Sequence, residues 1–179
     1  MAGKPTLGMI STAIPDPLLS DNYQLNFPQV PTGIDSKPLL MQCRTASKPG
    51  VTVNAVEVQL FGHTVEHASN KTFGHDMQAE YVENRSMQIH NILETWSNMI
   101  RGTQTQHGAF KTEYARDAYL TVFDQKGNVV YEYVIVNCWP SSVPDTSFDG
   151  SGSNLISVAV GFKYDYYYNK TTGTGNESV

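Results

Sequence analysis

Cysteine is scarce in this sequence: Cys43 and Cys138 are the only two in 179 residues. They lie far apart and form no C-x-x-C pair, which excludes a disulfide-dense scaffold and a zinc ribbon. The expectation is two buried, reduced thiols. Runs of basic residues are also missing, and the formal net charge is −5 with a pI near 5.4. A protein that grips nucleic acid needs Lys and Arg to displace counterions from phosphates, so that class is disfavoured. An acidic surface can still serve nucleic acid by repelling it, letting a strand slide past. No apolar run reaches the roughly 18 residues of a membrane span, and "MAGKPTLGMISTAIPDPLL" lacks the apolar core of a secretion signal. No membrane anchor is expected, and the protein is expected to be made and kept in the cytosol. A Gly-rich phosphate loop followed by Lys-Ser/Thr is absent, and so is G-x-S-x-G.

What is present is a strand-rich chain long enough for one domain with a real core. Hydrophobic residues make up 40% and aromatics 11%, with ten Tyr, which sets it apart from disordered sequences. Residues 1–21 are proline-marked and aperiodic and read as an extended arm, while polar, Gly/Thr-rich 169–179 reads as a flexible tail. The domain is therefore expected over 22–168.

Strand signals fill that domain. "NYQLNFPQV" sets Tyr23, Leu25 and Phe27 on one side, and "LLMQCRTA", Leu39 to Ala46, reads as a second strand before the turn-prone "SKPG". In "VEVQLF", Val56, Val58 and Leu60 alternate with Glu57, Gln59 and Phe61, the period of a half-buried strand. "DMQAEYV" continues in kind. "DAYLTVF" and "VVYEYVIVNCW" flank "DQKGN" as a hairpin, and the second arm is apolar on both alternating sets, so it needs cover on both faces. "LISVAVGFKYDYYY" reads as the longest strand, after a loop at Asp149 to Asn154.

One segment has the other period. From Ser86 to Ile100, Ile89, Ile92, Leu93, Trp96 and Ile100 follow the helical series, with Asn84 as N-cap and Gly102 as the stop. This flanking helix is expected to lie across a sheet, anchored by Ile89, Leu93 and Trp96.

The only apparent metal motif is His63-Thr64-Val65-Glu66-His67, which matches H-x-x-E-H. On a helix the two His share one face. On a strand they stand roughly 13 Å apart, while Zn–N bonds are near 2 Å. Gly62, β-branched Thr64 and Val65, then Asn70 and Gly74 all favour a strand, so a zinc hydrolase would need a third ligand such as His75 or His90 brought close. Neither metal nor cofactor nor catalytic residue is expected. Strands with a single covering helix leave exposed edges that invite pairing with another chain.

From about Asn22 to Tyr167 the chain resembles the tail tube proteins of contractile-tailed bacteriophages. The resemblance rests on features in order: "LLMQCRTASKPG"; "VQLFGHTVEHASNKTFGHDMQAEYV"; a helix with its Trp in "ILETWSNMI"; "YARDAYLTVFDQKGNVVYEYVIVNCWPSSV"; and a closing "VAVGFKYDYY". Similar members often carry acidic residues after the T-F pair, whereas Thr72-Phe73 here precedes Gly74-His75. The resemblance implies a mainly β, antiparallel sandwich or barrel with one flanking helix, assembled as hexameric rings stacked into the inner tail tube. Such a tube delivers the genome to the host bacterium.

Implied partners are further copies in a homo-hexamer, the tail sheath protein, a baseplate tube initiator and a tape-measure protein in the lumen. DNA passes through without specific binding. The implied location is the virion, with assembly in the host cytoplasm. Six copies at −5 carry −30 per ring. Ser47, Lys48, Pro49, Gly50, Val51, Thr52, Val53 and Asn54 are the implied loop to the next ring, and Glu57 and Gln59 the lumen candidates. A tailocin or secretion-system tube is the alternative within the same class. A monomeric carbohydrate-binding sandwich using Tyr and Trp is the alternative outside it.

Overall fold

Alternating and doubly apolar runs build nine strands among the described residues, 18–31, 33–146 and 155–170 of a computed structural model. They are β1 (Tyr23–Asn26), β2 (Cys43–Ala46), β3 (Val51–Leu60), β4 (His63–Phe73), β5 (Asp76–Val82), β6 (Arg116–Phe123), β7 (Val129–Ser142), β8 (Ser157–Lys163) and β9 (Tyr166–Asn169). The helices are α1 (Lys37–Met41), α2 (Gln88–Ile100) and α3 (Lys111–Tyr114). The fold is thus mainly β and antiparallel, as expected, and sandwich-like rather than a closed barrel.

β7 organises the sandwich. Its first part pairs with β6 on one side and β9 on the other, and its last residues, from Trp139, pair with β8. The resulting order β1-β6-β7-β8-β5-β2 turns a corner along this one strand. Asn137 makes the corner at φ 56°, its backbone N–H donating to Asp117 Oδ1 at 3.0 Å and its amide to Asp165 Oδ2 at 2.7 Å. Adjacent Val134 and Ile135 point to opposite faces and are both buried, which answers the doubly apolar pattern of this strand.

Between the two halves lies one core of Leu25, Phe27, Met77, Tyr81, Leu120, Ile135, Val160 and Phe162, closed by α2. Trp96 is fully buried, edge-on to Phe27 with centroids 5.7 Å apart and 6.4 Å from Phe162. Its indole Nε1 donates to the Tyr114 carbonyl at 2.8 Å, so the one polar atom of the ring is satisfied. Ile89 and Leu93 are buried beside it, as the helical period requires.

Several boundaries differ from the sequence reading. Leu39 and Leu40 belong to α1, not to a strand: Pro38 occupies the first helical turn, where its missing N–H costs nothing, and Leu39 alone turns inward. α2 begins at Gln88 rather than Ser86, because Met87 takes a left-handed conformation (φ 48°). Asn84 still caps from a distance, its Oδ1 accepting from Ser86 N at 3.0 Å and Gln88 N at 3.2 Å. The longest strand is β7, since the run from Ser157 breaks at Tyr164-Asp165, where the Asp165 N–H donates to the Val136 carbonyl. Asn169, read as the start of the tail, ends β9. The Asp149–Asn154 loop and most of the arm and tail lie outside the described residues. Cys138 is buried and its thiol is pushed well up by burial, whereas half-buried Cys43 is pushed up to about 11 by the same cause.

Candidate assembly surface

β3 and β4 form a two-stranded sheet of their own. Register runs from Val51↔Phe73 at the root to Leu60↔His63 at the tip, so the ladder spans roughly 30 Å at strand rise. The tip turn needs positive φ at both central residues. Gly62 meets this freely at φ 80°, but Phe61 adopts φ 52° with its ring fully exposed, a conformation that costs about 1–2 kcal/mol for a residue with a Cβ.

Only Asn54 and Phe73 in the two strands are other than exposed. The expectation of a half-buried strand, with Val56, Val58 and Leu60 alternating with Glu57, Gln59 and Phe61, is therefore not met among the described residues: the three aliphatic side chains are 50%, 37% and 60% exposed. Alternation separates the two faces all the same. One carries Val56 opposite His67, Val58 opposite Val65 and Leu60 opposite His63. The other carries Ala55 opposite Ala68, Glu57 opposite Glu66 and Gln59 opposite Thr64. Like charges directly across a ladder repel, so the Glu57–Glu66 pair weakens the hairpin.

The root is fastened. Ser47 N donates to the Gln78 carbonyl at 2.8 Å, and Gln78 N donates to Ser47 Oγ at 2.8 Å. Gly74 N donates to the Gly50 carbonyl at 3.2 Å, Phe73 meets Tyr167 edge-on at 5.7 Å, and Lys48 Nζ sits 5.1 Å above the Tyr133 ring. A bulge opposite Asn54 is bridged by its amide, which donates to Asn70 Oδ1 at 3.0 Å and Thr72 Oγ1 at 2.7 Å. The segment Ser47–Asn54 is accordingly not one loop: Ser47–Gly50 is the tether and Val51–Asn54 the first turn of strand. The projecting end is Phe61-Gly62.

His63 and His67 both lie on β4, as the flanking residues foretold. His75, in the β4–β5 connection, contacts the Tyr164 carbonyl through Nδ1 at 2.9 Å, and His90, on α2, pairs through Nε2 with Glu94 at 3.0 Å. No group of three or more His, Cys, Asp or Glu poised for a metal occurs among the described residues. A hollow of about 410 Å³ between α1 and α2, lined by Ile34, Asp35, Lys37, Pro38, Met41 and Ile92 among others, gathers no catalytic set. No helix among the described residues is long and apolar enough to cross a membrane. His63 and His67 are exposed, as surface histidines on a strand should be, whereas Glu66 was missed, although a two-residue turn at Phe61-Gly62 sets it opposite Glu57.

Solved structures share this architecture at low identity. The sheath/tube terminator of the extracellular contractile injection system PVC, extended state, aligns with TM-score 0.64 and 12% identity over 88% of this chain and 99% of that chain. The PVC sheath-tube complex gives 0.60 and 10% over 93% and 99%, and the anti-feeding prophage tube-terminating cap 0.64 and 12% over 88% and 93%. The fold is thus that of the tube and terminator proteins of contractile injection systems. No curated protein matches the sequence. The sequence model of the phage tail tube protein family matches residues 14–170, and the chain belongs to that family.

Proposed function

We propose that this protein is the subunit of the inner tail tube of a contractile phage, stacked as hexameric rings and serving as the conduit for genome delivery. The observation that carries this reading is the bare hairpin β3–β4 on a body whose core is complete without it. A two-stranded ladder alone in water is marginal at best, so it needs partner strands or faces. Repetition of one subunit supplies them, and ring closure removes the edges.

In this reading the tether Ser47–Gly50 and the root Val51–Asn54 direct the hairpin to the next ring. Glu57 and Gln59, joined by Glu66 across the ladder, face the bore and keep DNA from adhering. The sheath, a baseplate initiator and a tape-measure protein are the proposed partners, in a virion assembled in the host cytoplasm. The role is structural, and binding rests on repeated apolar and backbone contacts rather than on a catalytic residue. A second reading, the tube of a tailocin or related injection device, is favoured by the likeness to the injection-system tube and cap structures.

Negative-stain electron microscopy of the untagged protein across concentrations, with mass from light scattering, tests the assembly. Rings or hollow tubes with six-fold end views are expected. A monomer at every concentration, even with a tube initiator added, would overturn the reading.

A further inference from the structure

We propose that the hollow between α2 and the segment leaving β7 is a binding site for a small aliphatic diamine, with an ammonium group at each end of a hydrocarbon stem. This site is independent of the tube reading and lies on a part of the body that the reading leaves unused.

Helical spacing builds one wall. His90, Glu94, Ser97 and Asn98 share one face of α2, beside the buried stripe of Ile89, Leu93 and Trp96, and Met87 closes its end. From His90 to Asn98 the wall runs about 12 Å at helical rise. Residues 143–146, just past the end of β7, form the other wall. The space between them is about 650 Å³. Sites for small molecules enclose roughly 300–1,000 Å³, so this one is large enough for a ligand of several carbon atoms.

The lining selects a cation. Glu94 stands on one wall and Asp145 on the other, and among the described residues no Lys or Arg lines the hollow. Such a lining repels anions and concentrates positive charge. His90 Nε2 holds Glu94 through Oε1 at 3.0 Å, which steadies the carboxylate and leaves Oε2 for a ligand. Carboxylates on opposite walls call for two separated charges rather than one.

The remaining chemistry favours an organic cation over a bare metal ion. A hard divalent ion gathers several oxygens at about 2.0–2.6 Å, and no group of three or more His, Cys, Asp or Glu poised for a metal occurs among the described residues. Met87, Val143 and Pro144 add apolar surface that a hydrated ion would not use and that a methylene stem would cover. Two acceptors await a donor. With Nε2–H directed to Glu94, His90 Nδ1 is a bare acceptor, and it and Thr146 Oγ1 are buried without a hydrogen-bond partner among the described residues. Each ammonium carries three N–H donors, enough for a carboxylate and a neighbouring acceptor. One end of the ligand pairs with Glu94, the other with Asp145, and the stem lies on the apolar lining between.

The test is isothermal titration calorimetry of the full, untagged chain with putrescine, and with butylamine, butanediol and magnesium chloride for comparison. Expected is saturable binding of putrescine, binding of butylamine about tenfold weaker or more, and none of butanediol. Glu94→Gln and Asp145→Asn should each weaken putrescine about tenfold. Val143→Lys, which tethers an ammonium inside the hollow, should abolish binding, whereas Glu113→Gln on α3, outside it, should change nothing. Near-ultraviolet circular dichroism checks the fold of each variant. No saturable binding by the wild-type protein, equal affinity for putrescine and butylamine, or unchanged affinity in either carboxamide variant would overturn the proposal. Displacement of putrescine by an equal concentration of magnesium would do the same, because it would show a response to charge alone. Light scattering on the same samples reads assembly separately, so failure of the tube reading appears as absent rings whatever the calorimetry gives.

Discussion

The hairpin and the sandwich body are written in the same β-branched and aromatic alphabet, yet they solve opposite problems. In the body, Val158, Val160 and Phe162 alternate toward a core and are buried to 1% or less. In the hairpin, Val56, Val58 and Leu60 alternate just as strictly and stay open to water. The difference is not in the strand but in what lies over it: α2 and a facing sheet in one case, nothing among the described residues in the other. Alternation reports that a face is to be buried. It does not report by whom.

The comparison is broken most severely from the body's side. Trp96→Ala removes a fully buried indole that bridges Phe27 and Phe162, and should cost about 3–5 kcal/mol in denaturant unfolding. A loss below about 1 kcal/mol would mean that α2 does not close the core. Excision of the hairpin tests the other side: replacing residues 51–73 with a short Gly/Ser linker should abolish assembly and shift the body's unfolding by no more than about 1 kcal/mol. Large destabilisation would show that the hairpin belongs to the core after all.

Smaller changes sharpen the contrast. Gly127 holds φ 82° in the β6–β7 turn, and Gly127→Ala should cost about 1 kcal/mol, seen in thermal unfolding. The Lys111 ammonium, with the Asn137 amide, holds the Asp165 carboxyl below its ordinary range. The folded state then binds that proton less readily than the unfolded one. Its stabilisation is present above about pH 4 and is lost as pH falls through the folded value. Both side chains of the ion pair are more than a third exposed, so Asp165→Asn should remove under about 1 kcal/mol at pH 7 and less at pH 3. Smallest of all, Phe61→Asn suits the left-handed tip and should leave the body's melting temperature unchanged. Its gain, a few tenths of a kcal/mol, should appear only as slower amide exchange in β3 and β4.

Much of the body could be read from residues alone. Ile89, Leu93 and Trp96 declared a buried helical face, "DQKGN" declared its turn, and the doubly apolar "VVYEYVIV" declared cover on both sides. HTVEH was readable as strand because Gly62, Thr64 and Val65 oppose a helix. The illegible parts share a cause: each depends on contacts distant in sequence. α1 looks extended until Leu39 alone finds the core. The break at Asp165 is made by the Val136 carbonyl and the Lys111 ammonium, neither visible in "FKYDYYY". Within the candidate surface, Glu57 and Gln59 were legible as one polar face. Glu66, His63 and His67 required the register, and the root of the hairpin required the tether to Gln78.

The corner at Asn137 has a mechanical meaning. Because β7 runs through both halves of the sandwich, a load on either half is carried along one covalent strand and does not depend on side chains gripping across the core. The two sheets cannot slide past each other without unbending that strand and breaking the contacts of Asn137 with Asp117 and Asp165. A conduit made from such units would resist shear as a braced frame does, stiff in the body and compliant only where the hairpins join one unit to the next.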